Sequence, residues 1–189
     1  NSQTTLNPER SKSLEIGLQN QSNIGLINFK VYQTKIEDTF SYIDPESNYD
    51  GYYINDGTTD ISGVELSLET SMLGWDLDTT IDYNKSIDKA TKKQKGRRPN
   101  RSISFDLSKS SGKWNRSINW TGKSHAWDKN SETTKLGGYG LLNLRTSYDF
   151  TDDLTVYLNR NNALDKDYEV ARGYKTHGKT STLGLTYNF

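Results

Sequence analysis

The sequence predicts an all-β fold, part of the wall of an antiparallel transmembrane β-barrel, and three observations predict it. Apolar residues recur at every second position in about nine segments spread along the 189 residues. The connections between these segments alternate between short and long. Aromatic residues collect beside the short connections.

Side chains of a strand alternate between two faces, so a period of two with one apolar and one polar set marks a strand with one dry and one wet side. Leu14, Ile16 and Leu18 alternate with Glu15, Gly17 and Gln19; Ile27, Phe29 and Val31 alternate with Asn28, Lys30 and Tyr32. Val64, Leu66 and Leu68 alternate with Glu65, Ser67 and Glu69. Trp75, Leu77, Thr79, Ile81 and Tyr83 alternate with Asp76, Asp78, Thr80 and Asp82. The pattern resumes at Ile103, Phe105 and Leu107 around Ser104 and Asp106, and at Ile118 and Trp120 around Ser117 and Asn119. Leu142, Leu144, Tyr148 and Phe150 alternate with Asn143, Arg145 and Asp149; Leu154, Val156 and Leu158 alternate with Thr155, Tyr157 and Asn159. The last strand sets Leu183, Leu185, Tyr187 and Phe189 against Thr182, Gly184, Thr186 and Asn188. Helical spacing is sustained nowhere, and Pro8, Pro45 and Pro99 fall in loops or at strand starts, where a missing N–H is harmless.

Tight turns are expected near 20–23, 71–74, 108–112 and 150–153, and long polar connections near 39–58, 85–99, 124–138 and 161–178. In an outer-membrane barrel short turns face the periplasm and long loops face outside. That assignment sends the last strand downward and leaves Phe189 on the periplasmic side. Trp75 and Trp114 follow short turns and Phe150 precedes one, so the same rim collects the amphipathic rings of an interfacial girdle. Leu66, Leu77, Phe105, Leu144 and Val156 should then face lipid, with Glu65, Asp78, Asp106, Arg145 and Tyr157 facing the lumen.

Composition agrees and narrows the function. Hydrophobic residues make up 31% of the chain, and no apolar run approaches the length of a membrane helix. A barrel strand needs only alternate apolar residues, so low hydropathy is compatible with spanning. With 24 basic and 24 acidic residues, no global field favours nucleic acid. The basic stretch from Lys89 to Arg101 lacks interleaved aromatics and fits a solvated outer loop near lipopolysaccharide phosphates. The carboxylates Glu65, Glu69, Asp76, Asp78 and Asp82 share one wet face and need no catalytic role. His125 and His177 stand alone, without a ligand cluster, and the chain has no cysteine, so neither a metal site nor a cofactor is expected. The chain starts at Asn1 with no signal peptide, so an upstream part is expected.

The motifs then add a resemblance. The final TLGLTYNF, with Gly184, Tyr187 and Phe189, resembles the signal by which outer-membrane barrels are recognised for assembly. LNPERSKSLEIGL, from Leu6 to Leu18, resembles the lead-in to a late barrel strand of the TonB-dependent outer-membrane receptors. YINDG from Tyr53 and ISGVE from Ile61 resemble a second stretch of that family. NALDKDYE from Asn162 and GYKTHGK from Gly173 resemble a third. KLGG from Lys135, the segment from Gly173, and Arg97-Arg98 at the head of a strand look most like the branch that takes up cobalamin. Arg160 stands where the family is apolar, a departure that bears on the strand there more than on the family; at the outer rim a long cation can snorkel. His177 and Lys179 also depart from the family pattern.

The resemblance implies a single unit over residues 1–189, the last nine of about twenty-two barrel strands. It places the chain in the outer membrane of a Gram-negative bacterium, in contact with lipid and lipopolysaccharide. It also implies a plug domain outside these residues, through which periplasmic TonB would act, and the barrel-assembly machinery as a partner of the last strand. The transported ligand would be cobalamin, or a siderophore or haem in related branches. An alternative of another class is a surface β-domain with an adhesive role, which would bury the apolar face instead of showing it to lipid. Tyr42, Tyr49, Tyr52, Tyr53, Trp127, Tyr139 and Tyr174 occupy or border the long loops. Their rings suit a large ligand with apolar flanks, so Tyr52, Tyr53, Trp127, Tyr139 and Tyr174 are the candidate ligand contacts.

Overall fold

The computed structural model describes residues 5–43 and 51–189. Strands β1 (Arg10–Ser22) and β2 (Gly25–Glu37) form the first hairpin, and β3 (Phe40–Ile43) and β4 (Tyr52–Asn55) form a small separate one. Then come β5 (Thr58–Met72), β6 (Trp75–Asp88), β7 (Arg101–Ser111) and β8 (Trp114–Lys123). A second small hairpin, β9 (Ala126–Trp127) and β10 (Lys135–Leu136), precedes β11 (Tyr139–Asp149), β12 (Leu154–Asn161) and β13 (Thr180–Tyr187). Nine strands make one sheet in the order β1-β2-β5-β6-β7-β8-β11-β12-β13, every neighbour antiparallel.

One rim of this sheet carries only tight connections. Two residues separate β1 from β2, β5 from β6 and β7 from β8, and four separate β11 from β12. Leu73 (φ 56°) and Gly74 (φ 73°) both sit in the left-handed region, the twist-matched geometry of a two-residue hairpin. The opposite rim carries 38–57, 89–100, 124–138 and 162–179, so the expected alternation holds throughout.

Register shows that each face is chemically uniform, because directly paired residues share a face. One row runs Phe29–Leu66–Ile81–Ile103 and another Leu77–Leu107–Ile118–Leu144. Leu66, at 43% exposure, and Ile118, at 37%, stand on that face with no second layer of the described residues over them. On the other face Glu69–Asp78–Asp106–Asn119–Asn143 form a continuous row, and Lys30–Glu65–Asp82 another. The ten residues expected to face lipid or lumen divide between the two faces as expected.

Among the described residues the buried apolar side chains are Ala126, Leu136 and Ala171, and all three lie in the outer-rim connections. The described sheet therefore has no hydrophobic core of its own; its apolar surface is turned outward as a band. Two glycine positions show how the polar face is filled instead. A Cβ at Gly63 would stand 2.5 Å from the hydroxyl of Tyr32, and one at Gly184 would press on the ring of Tyr157. Each tyrosine lies over the glycine that pairs with it on the neighbouring strand.

The long connections at 39–58 and 124–138 each carry a small hairpin, too short for a periodicity of two to register. Three expectations need correction. Arg97 and Arg98 are not at the head of a strand: β7 begins at Arg101, and Arg97 takes a left-handed conformation (φ 59°) in the loop. Phe150 lies beyond the end of β11, and Phe189 beyond the end of β13, though both still stack, on Tyr148 at 4.8 Å and on Tyr187 at 5.2 Å. Arg160 does not disturb its strand; β12 continues to Asn161, and Arg160 Nη1 donates to Ser181 Oγ at 2.6 Å.

Candidate functional site

Two regions have the arrangement of a working surface: the polar face of the sheet and the outer-rim loops above it. Along the polar face, side-chain amides and carboxylates connect strand to strand. Asn119 Nδ2 donates to Asp106 Oδ1 at 2.8 Å, Asn143 Nδ2 donates to Asn119 Oδ1 at 2.9 Å, and the Asn162 amide donates to Asn143 Oδ1 at 3.0 Å. Asn115 Nδ2 reaches Asp149 at 3.1 Å, and the Thr155 hydroxyl reaches the same carboxylate at 2.7 Å. Lys30 pairs with Glu65 at 3.1 Å, and the Tyr32 hydroxyl lies 3.4 Å from Asp82. These bonds satisfy polar groups laterally and hold a hydrated wall in one conformation.

The opposite face has interfacial rims at both ends. At the short-turn rim the Lys109 ammonium lies 5.5 Å from the Trp75 ring, and the Arg116 guanidinium 5.5 Å from the Trp114 ring. Trp114, Tyr148 and Phe150 stack in succession, at 4.9 and 4.8 Å. At the long-loop rim Arg101 and Lys85 both lie 6.0 Å from the Tyr83 ring, and Trp120 packs against Phe105 at 5.8 Å. On β7 the apolar stretch Ile103, Phe105, Leu107 is bounded by Arg101 and Lys109, eight positions apart, ~20 Å of height once a strand rise of ~3.3 Å and a barrel tilt are allowed for. Such a pattern suits a hydrocarbon slab with cations and rings at its two interfaces. The outer girdle of Tyr83 and Trp120 escaped the sequence reading because neither ring adjoins a tight turn.

Above the outer rim, loops 89–100 and 124–138 are joined edge to edge. Arg97 N–H donates to the Trp127 carbonyl, Gly96 N–H to Asn130 Oδ1 at 2.7 Å, and Gln94 N–H to Glu132 Oε1 at 2.7 Å. Asp128 ties in a third loop by accepting from Arg97 Nε at 3.0 Å and from the Arg172 amide at 3.1 Å on the same oxygen. The Arg172 N–H and the Arg97 guanidinium hold its carboxyl below the ordinary carboxylate range.

The motif residues of loop 162–179 are likewise bound. Asn162, buried and left-handed (φ 46°), accepts from the Lys166 amide at 2.9 Å and donates to the Lys166 carbonyl at 2.9 Å. Asp165 accepts from the Lys179 amide at 2.9 Å and pairs with its ammonium at 2.9 Å; the amide first and the ammonium second lower its pKa. Neither residue is visible as a fastener in the sequence, although asparagine's tolerance of the left-handed region marks Asn162 as a candidate turn former.

The candidate ligand contacts are spread over these loops. Tyr53 stacks on Tyr42 at 5.2 Å in the β3–β4 hairpin, next to Tyr52. Trp127 lies on β9 with the Lys135 ammonium 6.0 Å from its ring; Tyr139 begins β11 and stacks on Tyr168 at 4.4 Å. Tyr174 is 72% exposed. Tyr139 lines two cavities, while Tyr52, Tyr53, Trp127 and Tyr174 line none of the five principal ones. The structure thus gathers these rings on one rim without closing them into a single pocket. Tyr49 lies outside the described residues. No group of three or more potential metal-ligating acids and histidines occurs among the described residues.

A sheet with an uncovered apolar band, a rim of rings at each end, a polar opposite wall and long loops on one side only is the wall of an outer-membrane β-barrel. The chain belongs to the TonB-dependent receptors: the family model described as "TonB dependent receptor-like, beta-barrel" matches residues 1–163. The alternative of an adhesive surface β-domain falls with it, and the chain's place is the outer membrane of a Gram-negative bacterium. The vitamin B12 transporter BtuB of Photobacterium profundum is 30% identical over 97% of this chain, which covers 31% of that protein. Among solved structures, the copper transporter OprC superposes with a TM-score of 0.79 at 20% identity over 98% of this chain and 32% of its own. The siderophore receptor PirA from Acinetobacter baumannii gives 0.76 at 16% identity over 97% of this chain and 32% of its own. The pyoverdine receptor FpvA from Pseudomonas aeruginosa PAO1 gives 0.73 at 17% over 97% and 30%. At these identities the structures show the fold alone. The chain spans about a third of the length of the proteins it matches.

Proposed function

We propose that these residues belong to a receptor for active uptake of a large, scarce nutrient, with cobalamin as the ligand, and that they carry no enzymatic activity. The observation that carries the ligand assignment is the 30% identity to a vitamin B12 transporter, sustained over 97% of the chain and not confined to one motif. Wall and loops have separate tasks in this reading. The hydrogen-bonded polar wall from Asp106 through Asn143 supports a plug that periplasmic TonB pulls upon. The loop rings of Tyr52, Tyr53, Trp127, Tyr139 and Tyr174 receive the ligand's apolar flanks from outside. Gly184, Tyr187 and Phe189 serve earlier, as the strand presented to the barrel-assembly machinery.

The test is equilibrium binding to the full-length receptor, offering cyanocobalamin with calcium beside a ferric catecholate. Tight cobalamin binding is expected. Catecholate binding without cobalamin binding would keep the family and replace the substrate.

A further inference from the structure

The largest of the five principal cavities opens on the outward face and not toward the lumen. The row that crosses it runs Ile81–Ile103–Gly122–Gly140 over four adjacent strands, so the outward wall falls from two branched side chains to none. The Trp120 indole lies across the gap: a Cβ at Gly122 would stand 2.6 Å from its Cη2, and one at Gly140 would stand 3.1 Å from its Cζ2. The furrow left beside the indole measures about 710 Å³, within the ~300–1,000 Å³ of small-molecule sites.

The furrow is apolar along its floor and cationic at its outer end. Arg101 and Lys166 line that end, and neither forms an ion pair among the described residues. Arg101 instead stands over the Tyr83 ring. Asp82 also borders the furrow, but its carboxylate is engaged from the polar face, by Asn84 Nδ2 at 2.9 and 3.0 Å and the Tyr32 hydroxyl at 3.4 Å. Lys123 borders it too, from a position whose strand parity is that of the polar face.

We propose that this furrow is a specific site for a phosphorylated, multiply acylated glycolipid of the outer leaflet, the lipid A part of lipopolysaccharide. One acyl chain lies along Ile81, Ile103 and the Trp120 indole, and a phosphate is held between Arg101 and Lys166. The position of the cations selects the occupant, because they stand at the outer interface, above the apolar floor. An apolar chain alone would leave two unpaired cations there, and a phosphate alone would leave the furrow unfilled. The proposal rests on the outward assignment of this face and is independent of which nutrient the receptor carries.

The test uses the full-length receptor in phosphatidylcholine nanodiscs, with hexa-acylated lipid A titrated in and retained lipid counted by native mass spectrometry. Arg101→Gln with Lys166→Gln should weaken retention about 25-fold, about fivefold for each cation. Arg101→Lys with Lys166→Arg should restore most of it, which a merely misfolded double variant would not allow. Gly140→Leu, which fills the furrow, should lower retention with both cations in place. Unchanged retention in the glutamine variant, or equal displacement by phosphatidylglycerol, would overturn the site as an ordinary annulus of lipid. Nutrient binding measured on the same discs separates the two readings: lipid A selectivity can fail while uptake stands, and the reverse.

Discussion

Arg97 Nε and the backbone amide of Arg172 converge on a single oxygen of Asp128, at 3.0 and 3.1 Å. Asp128 is 7% exposed, so this one carboxylate fastens three outer loops at a point largely shielded from water. The Arg97 side chain is 54% exposed, but the carboxylate it meets is shielded and accepts from two loops at once, so it orders them more than a fully exposed ion pair would. Asp128→Asn should therefore speed hydrogen exchange at Gly96, Arg97 and Arg172 while the strand amides of β6 to β8 keep their protection. Uniform loss of protection across the sheet would show that the clasp is not local.

The same carboxylate sets a pH dependence. Its folded pKa lies below the ordinary value near 3.9, so its contribution is complete above that value and fades as pH falls through the lowered folded pKa. Asp165, lowered by Lys179, behaves alike. Outer-loop exchange, corrected for its intrinsic pH dependence, should hold steady from pH 7 to about 5 and rise only below about 4. A rise beginning well above pH 5 would show that these two carboxylates do not control the loops.

Orientation in the membrane gives an asymmetry in tolerance. Leu66→Arg places a cation at mid-strand on the apolar face and should cost about 2–4 kcal/mol. Ser67→Arg, one position along on the polar face, should cost much less. Equilibrium unfolding of the full-length receptor in lipid vesicles measures both. Equal penalties would remove the assignment of the two faces.

The alternation of the chain already contained this orientation. Leu66 and Glu65 are neighbours in sequence with opposite chemistry, and a period of two carries that difference to opposite faces without tertiary information. The connections were legible for a similar reason: a two-residue turn such as Leu73-Gly74 is a local event. What was not legible joins distant positions. Asp128 and Arg172 lie 44 residues apart, and nothing local marks either as the other's partner. The pairing of Tyr32 with Gly63, or the cover that Trp120 gives Gly140, likewise depends on register, which alternation fixes only in parity. The hairpins β3–β4 and β9–β10 are too short for periodicity to register.

The glycine in the last strand has a steric task that can be separated from assembly. Gly184→Ala would press a methyl group on the Tyr157 ring, which can swing aside, so the cost should be about 1 kcal/mol, at the low end for overpacking. In a Tyr157→Ala background the same change should be nearly neutral, within ~0.5 kcal/mol. Unfolding midpoints of the four variants close the cycle. If the penalty persists without the ring, Gly184 is needed for its backbone or for assembly and not for space.

The loop rings carry the last prediction. Tyr52 and Tyr53 stand on the β3–β4 hairpin and Trp127 on β9, both outside the main sheet, so truncating them removes contact surface without touching the barrel wall. A large ligand held by apolar faces would lose about 1–2 kcal/mol for each ring removed, roughly 5- to 30-fold in affinity. Tyr52→Ala, Tyr53→Ala and Trp127→Ala in the full-length receptor should each weaken cyanocobalamin binding by that order. Phe150→Ala, a ring of the opposite rim, should leave it unchanged. Trp127 is the more demanding case, because Lys135 already occupies one flank of the indole and only the remaining surface is free to meet ligand. Its effect should grow when Lys135→Ala uncovers that flank. If all three truncations bind as the parent does while cobalamin still binds tightly, the ligand is held by other parts of the receptor and these rings are packing for the loops.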